Sequence, residues 1–116
     1  MESILTSIKK LLGITEEYEH FDADIIMHIN SVFMVLRQLG VGPKEGFSIH
    51  DKTATWQEYA QNISEIEMVK SYVFLKVKMI FDPPLSGSVS EGFNKLISEL
   101  EFRLNAKEDV GEEPSR

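Results

Sequence analysis

The residues that could do chemistry in this 116-residue chain are three histidines and a short acidic segment. The spacing of His20, His28 and His50 does not match a helical zinc motif such as His-Glu-x-x-His. Cysteine is absent, which excludes disulfides, thiolate zinc sites and cysteine nucleophiles. The sequence also lacks a glycine-rich phosphate loop. We therefore expect no catalytic residue, no cofactor or metal site and no enzymatic activity.

The acidic segment spans residues 16–24 and contains neither lysine nor arginine. Its five acids are Glu16, Glu17, Glu19, Asp22 and Asp24. Clustered carboxylates can bind calcium, but the alternating ligands and central glycine of an EF-hand loop are missing. A solvated acidic turn is the favoured interpretation.

Length and composition indicate one domain with a modest core, because 42% of the residues are hydrophobic and 27% are charged. Twelve basic and nineteen acidic residues give a net charge of −7, which argues against binding nucleic acid as the main role. No apolar run reaches the ~20 residues of a membrane span, and the N-terminus does not resemble a secretory signal. We expect a domain over 1–106, a flexible acidic tail over 107–116, and assembly in the cytoplasm.

Hydrophobic spacing predicts an all-α fold, a small bundle of four to five helices with one long loop. The first helix covers 3–12, and its apolar face carries Ile4, Leu5, Ile8, Leu11 and Leu12. Such a helix either docks on the core or lies on a membrane surface. Docking is favoured because two lysines give it little basic character.

The second helix is expected to start with Asp22 or Asp24 as its cap and to end at Leu39. Its predicted core face consists of Ile25, Ile29, Val32, Phe33, Leu36 and Leu39. A long loop follows, for which a short hairpin over 46–55 is an alternative. Capping boxes starting at Thr55, Ser64 and Ser88 predict helices that run to about 61, 81 and 105. In the last helix, the predicted core face is Val89, Phe93, Leu96, Ile97, Leu100 and Leu104.

Several residues disagree with the polarity of the helix face on which they fall. The apolar ones on outward faces are Met27, Met34, Phe74, Phe81 and Phe102. Conversely, Lys76 projects from an apolar arc, so we expect it to pair with an acid in the domain or at a subunit boundary. The candidate acids are Asp22, Asp24 and Asp82. On this hypothesis, Lys76→Met weakens folding or assembly.

Five large apolar residues on three outward stripes suggest a second buried surface, hence self-association or a partner. The competing interpretation is that they cover one another within a tightly packed monomer. These five residues and Lys76 are the candidate interface residues.

The order of several segments resembles that of tailed-phage, or prophage, head–tail connector (head completion adaptor) proteins. The matching segments are 24–30 (DIIMHIN) leading to 39–43 (LGVGP), 72–78 (YVFLKVK) with 81–84 (FDPP), and 93–104 (FNKLISELEFRL). The resemblance covers roughly residues 2–105, and none of its segments is a catalytic signature.

The resemblance implies a structural protein of the virion that assembles in the bacterial host as a ring, dodecameric in the virion. The ring would lie at the head–tail junction beneath the portal protein, with tail-completion (stopper) proteins on its other side. DNA would only pass through its channel, and the protein would need no membrane and no cofactor. The tail over 107–116 or the 40–55 loop would then be candidate portal contacts.

A second class of function is a small acidic regulatory or inhibitory protein of a phage or bacterium that mimics the charge of DNA. The net charge permits it. A mimic should carry dense carboxylates along an outer face, whereas acids and bases alternate on the last helix at Glu91, Lys95, Glu99 and Arg103.

Overall fold

The structure, a computed structural model, describes residues 2–60 and 66–112 and contains five helices in that part of the chain. They are α1 (Ile4–Leu11), α2 (Asp22–Gln38), α3 (Trp56–Tyr59), α4 (Ile66–Phe81) and α5 (Gly87–Glu112). No strand forms within these ranges, where an isolated bridge joins Ser3 and Thr55. The all-α prediction is confirmed, and the alternative of a hairpin over 46–55 is wrong.

The three long helices determine the shape of the domain. Helix α4 packs against α2 and also against α5, while α1 contacts both α2 and α4. The molecule is flat, with extents of 49 × 36 × 19 Å. Because the domain is small and thin, each long helix has one face exposed to solvent. Apolar residues on these faces therefore lie outside the core.

Helix α1 docks on the core, as predicted. Ser3 caps it by accepting a hydrogen bond from the backbone N–H of Thr6, and its buried apolar residues are Ile4, Leu5 and Ile8. Leu11, predicted on the same face, is instead 56% exposed. Gly13 then reverses the chain with a φ of +84°, a conformation that glycine adopts without steric cost.

The predicted core face of α2 is confirmed at five positions: Ile25, Ile29, Val32, Phe33 and Leu36 are buried, and Leu39 is partly so. Its predicted cap is wrong. Phe21 occupies the cap position without a side-chain hydrogen bond, and Asp22 lies in the first turn. The carboxylate of Asp22 faces Lys9 at 2.8 Å, which explains why it does not cap the helix.

The capping box at Thr55 is confirmed, since Thr55 Oγ1 accepts from Glu58 N at 3.3 Å and Glu58 Oε1 accepts from Thr55 N at 2.8 Å. The predicted box at Ser64 lies outside the described residues. The box at Ser88 is wrong, because α5 begins at Gly87 and it is Ser86 Oγ that accepts from Val89 N, at 3.4 Å. Helix α5 also runs to Glu112, past the predicted end at Asn105. The flexible tail over 107–116 stays a prediction.

An aromatic cluster fixes the long loop against α2 and α3. Phe33 stacks on Tyr59 at a centroid distance of 4.6 Å, and Phe47 meets both rings edge-on. Trp56 Nε1 donates to Ser7 Oγ at 2.8 Å, which ties α3 to α1. Gly42 permits the close approach of the loop, because a Cβ atom there would lie 2.7 Å from the Tyr59 hydroxyl.

Candidate functional site

The predicted interface residues occupy separate places on the surface. Met27 and Met34 lie on α2, Phe74 lines a groove beside α5, and Phe102 is isolated on the outside of α5 with 74% exposure. Phe81 is half-buried, with its ring edge-on to Phe21 at 5.2 Å. The two methionines therefore lie close together, whereas the three phenylalanines lie at separate places.

The two methionines form the exposed face of α2, which we call the methionine face. Met27 is 57% and Met34 63% exposed, seven residues apart on the side opposite to buried Ile29 and Leu36. The two side chains border a shallow groove of about 520 Å³ whose other wall includes Ile49 and the exposed His50. Methionine side chains are flexible and polarisable, and they are frequent at protein docking surfaces.

Asn30 holds the wall of this groove in place. Its side-chain amide donates to Ile49 O at 2.9 Å, and its carbonyl oxygen accepts from Ile49 N at 2.8 Å. The Ile49 side chain is buried, so the loop is anchored through both its backbone and its side chain. The signal for this contact in the sequence is a polar residue, Asn30, at the boundary between the core face and the outer face of α2.

Asn30→Ala is expected to lower the free energy of unfolding by about 2 kcal/mol, because two hydrogen bonds to part-buried backbone groups are lost. Urea unfolding followed by Trp56 fluorescence measures this change. Asn94→Ala, which removes the same side chain from an exposed position of α5, is the matched control. Equal stability losses in the two variants would show that Asn30 does not anchor the loop.

A second apolar groove lies between α4 and α5, with a volume of about 500 Å³, and we call it the α4/α5 groove. It is lined by Met68, Ser71, Phe74, Leu75, Leu96, Glu99, Leu100 and Arg103. Leu96, predicted on the core face of α5, is 48% exposed here, whereas Ile97 and Leu104 are buried as predicted. At the rim, Arg103 and Glu99 pair at 2.7 Å, which is one step of the predicted alternation of charges along α5.

Lys76 is half-exposed and lies 4.0 Å from Glu101 of α5, with its ammonium 5.9 Å from the centroid of the Tyr72 ring. The Tyr72 hydroxyl donates to the same carboxylate at 2.7 Å. Within the chain, the acid partner of Lys76 is thus Glu101, and the predicted acids have other roles. Asp22 faces Lys9 at 2.8 Å and Asp82 pairs with Lys78 at 3.0 Å, while Asp24 is exposed.

The turn between α4 and α5 and the helix ends beside it expose apolar residues that are not among the predicted interface residues. Leu85 is fully exposed, and Ile80 and Val89 are 52% and 45% exposed. Val89 was predicted on the core face of α5, which is wrong. The Pro83–Pro84 pair that ends α4 was the available signal, because a proline-rigidified turn can display side chains away from the core.

Two buried tyrosines, Tyr59 and Tyr72, are expected to lower the stability of the folded protein at alkaline pH. Burial raises the pKa of the Tyr59 hydroxyl, and burial together with the hydrogen bond to Glu101 raises the pKa of Tyr72. Above pH 10 the unfolded chain releases these protons first, so it binds fewer protons than the folded state and stability falls with rising pH. The contribution of both groups is complete below the unfolded pKa of about 10.

At pH 11 we expect each of these tyrosines to have lost about 1.4 kcal/mol of its stabilisation. Urea unfolding at pH 8, 10 and 11 gives the slope, and Tyr72→Phe is expected to reduce it by roughly half. Tyr18→Phe, which removes a half-exposed tyrosine, is the control. An identical slope in the wild type and in Tyr72→Phe would contradict the role of Tyr72.

The described residues offer two apolar grooves and several exposed apolar side chains as surfaces for binding. Among them, no three histidine, aspartate or glutamate side chains converge as metal ligands. In the loop, hydrogen bonds from Thr53 hold the pKa of the Asp51 carboxyl below its usual value, but that carboxyl is fully solvated. Within the same residues, no helix is both long and apolar enough to cross a bilayer. Exposed apolar faces of this kind indicate sites of protein–protein interaction.

Comparison with known protein families matches residues 4–111 to the family model described as phage connector protein. No curated protein and no solved structure matched the chain. The family match begins at α1 and includes all five helices described above almost to the end of α5, so it covers both apolar surfaces. The chain therefore belongs to the phage connector protein family, whose members are structural proteins of the phage particle.

Proposed function

We propose that this protein is a subunit of a ring that lies beneath the portal and joins the capsid to the tail. The family match over residues 4–111 is the observation that carries the proposal. The placement of apolar residues supports it, since the methionine face lies on α2 and the α4/α5 groove on two other helices. A ring requires two different patches on each subunit, one for each neighbour.

The distribution of charge suits a ring through which DNA passes. A channel lined with clustered lysine and arginine would bind phosphates and slow the passage of DNA. Here the net charge is −7, and the turn after α1 exposes Glu16, Glu17 and Glu19. The 107–116 segment contains four acids and two bases. Together, this segment and the turn after α1 account for much of the net negative charge.

Portal and tail-completion proteins are the proposed partners on the two sides of the ring, at the head–tail junction of a virion assembled in the host cytoplasm. The turn between α4 and α5 is a candidate contact, because Leu85 is fully exposed there. The anchored loop that carries His50 is another.

Native mass spectrometry of the purified protein, alone and mixed with portal rings, tests the proposal. We expect a large closed oligomer that co-migrates with the portal, with twelve copies on the portal as the resemblance implies. A monomer that persists at high concentration and does not bind portal rings would contradict the proposal. If that monomer instead bound a host enzyme that acts on DNA, the acidic inhibitor would be the better interpretation.

A further inference from the structure

We propose that, in the ring, the methionine face of one subunit seats in the α4/α5 groove of the next, with α2 antiparallel to the neighbouring α5. This inference rests on the proposed ring and names the two surfaces that close it. The occupant of the groove is thus a second copy of this chain, and its anchors are Met27 and Met34.

The positions of the two surfaces in the subunit support this pairing. Helix α4 packs against both α2 and α5, and the methionines lie on the side of α2 opposite to its core face. A subunit that offers one apolar surface on α2 and another beside α5 can repeat the same contact from copy to copy. Pairing of two unlike surfaces leaves one of each free at every step until the ring closes.

Charge selects the antiparallel direction. Asp24, exposed one turn before Met27, takes part in no ion pair among the described residues, and Arg103 lies at one end of the groove. An antiparallel arrangement brings these opposite charges together, whereas a parallel one would place Met34 against the Arg103 guanidinium. The present partner of Arg103 is Glu99 on the same exposed helix surface, a weak type of pair that leaves the guanidinium free to contact a second acid.

Spacing agrees with the same alignment. With Asp24 beside Arg103, Met27 falls beside Leu100, three residues from each charged residue. Met34 then lies about 15 Å along α2 from Asp24, and Leu96 about 10.5 Å along α5 from Arg103. The difference of about 4.5 Å lies within the reach of the long, flexible methionine side chain.

Cysteine cross-linking tests the pairing directly, because the chain has no natural cysteine. The full-length double variant Met34→Cys/Leu96→Cys is treated with a short bis-maleimide, which tolerates positional errors that a disulfide does not. Each subunit then links to two neighbours, so we expect a ladder of trimers and larger species on a denaturing gel. The control variant is Met34→Cys/Phe102→Cys, since Phe102 is exposed on α5 but does not line the groove.

We expect the test variant to give at least about tenfold more of these higher species than the control, because ring contacts hold the two thiols at high effective concentration. Native mass spectrometry of the wild type, run in parallel, separates the two proposals. Rings without a selective ladder would overturn the pairing and leave the connector function intact. Cross-linked dimers from Met34→Cys alone, without a ladder, would indicate a methionine-to-methionine contact and overturn the pairing. Absence of both rings and ladder would overturn the pairing and self-assembly together.

Discussion

Replacing Lys9 with methionine is expected to lower the free energy of unfolding by about 3 kcal/mol. Lys9 is 2% exposed, and its ammonium donates to Tyr18 O at 2.7 Å and to Glu16 O at 3.1 Å. The ammonium also lies 2.8 Å from Asp22 Oδ1. That oxygen accepts no well-aligned hydrogen bond, so we assign this contact to charge attraction.

The size of the effect follows from what the lysine holds together. After Gly13 the chain folds back, and the ammonium joins α1 to the segment 16–18 and to the first turn of α2. Methionine preserves most of the packing of the aliphatic stem but leaves two carbonyl groups and a carboxylate without their donor. The expected loss is near the lower end for a broken buried pair because Asp22 is 25% exposed.

Guanidinium unfolding monitored by Trp56 fluorescence measures the change. Lys10→Met and Lys76→Met are the matched controls, since Lys10 is exposed on the same helix and Lys76 makes only a half-exposed contact at 4.0 Å. Both are expected to shift stability by less than about 1 kcal/mol. For Lys76 this replaces the sequence-based expectation of weakened folding, because the structure places its ammonium in a half-exposed contact rather than a buried one. A loss in either control as large as that in Lys9→Met would show that burial of the Lys9 ammonium is not the cause.

The comparison between Lys9 and Leu11 shows where helical periodicity stops being informative. On α1, Lys9 and Leu11 lie on opposite flanks of the apolar arc, and spacing alone assigned the leucine to the core. The structure reverses this assignment, with Leu11 56% and Lys9 2% exposed. Lys9 is buried because the acidic segment folds back over it. This is a tertiary contact, which local periodicity does not predict.

Periodicity predicted α2 better than α5 for a related reason. Helix α2 packs against α1 and α4 and is contacted by the loop through Asn30, so nearly all of its predicted apolar face is covered. Helix α5 packs mainly against α4, which leaves Leu96 and Val89 at the surface. A single neighbour cannot cover a wide apolar arc, and the sequence does not specify which part of the arc it covers.

The second large effect is on assembly and concerns Met34 of the methionine face, which in the proposed ring covers part of the exposed arc of a neighbouring α5. In that ring, Met34→Glu is expected to weaken each subunit contact by about 3 kcal/mol, roughly a hundredfold in affinity, because a charge would enter an apolar interface. Folding is expected to be unaffected, since Met34 is 63% exposed in the subunit. Native mass spectrometry and light scattering measure the loss of rings, and circular dichroism verifies the fold.

Leu85→Glu is the matched control, because it places the same charge at a fully exposed leucine that lines neither groove. It is expected to form rings as the wild type does. If Met34→Glu also assembled normally, the methionine face could not be a subunit contact. If Leu85→Glu were instead the variant that lost its rings, the turn between α4 and α5 would be the assembly surface. The isolated subunit would then carry its self-contact at that turn rather than on α2, and the portal contact would have to lie elsewhere, with the loop held by Asn30 as the next candidate.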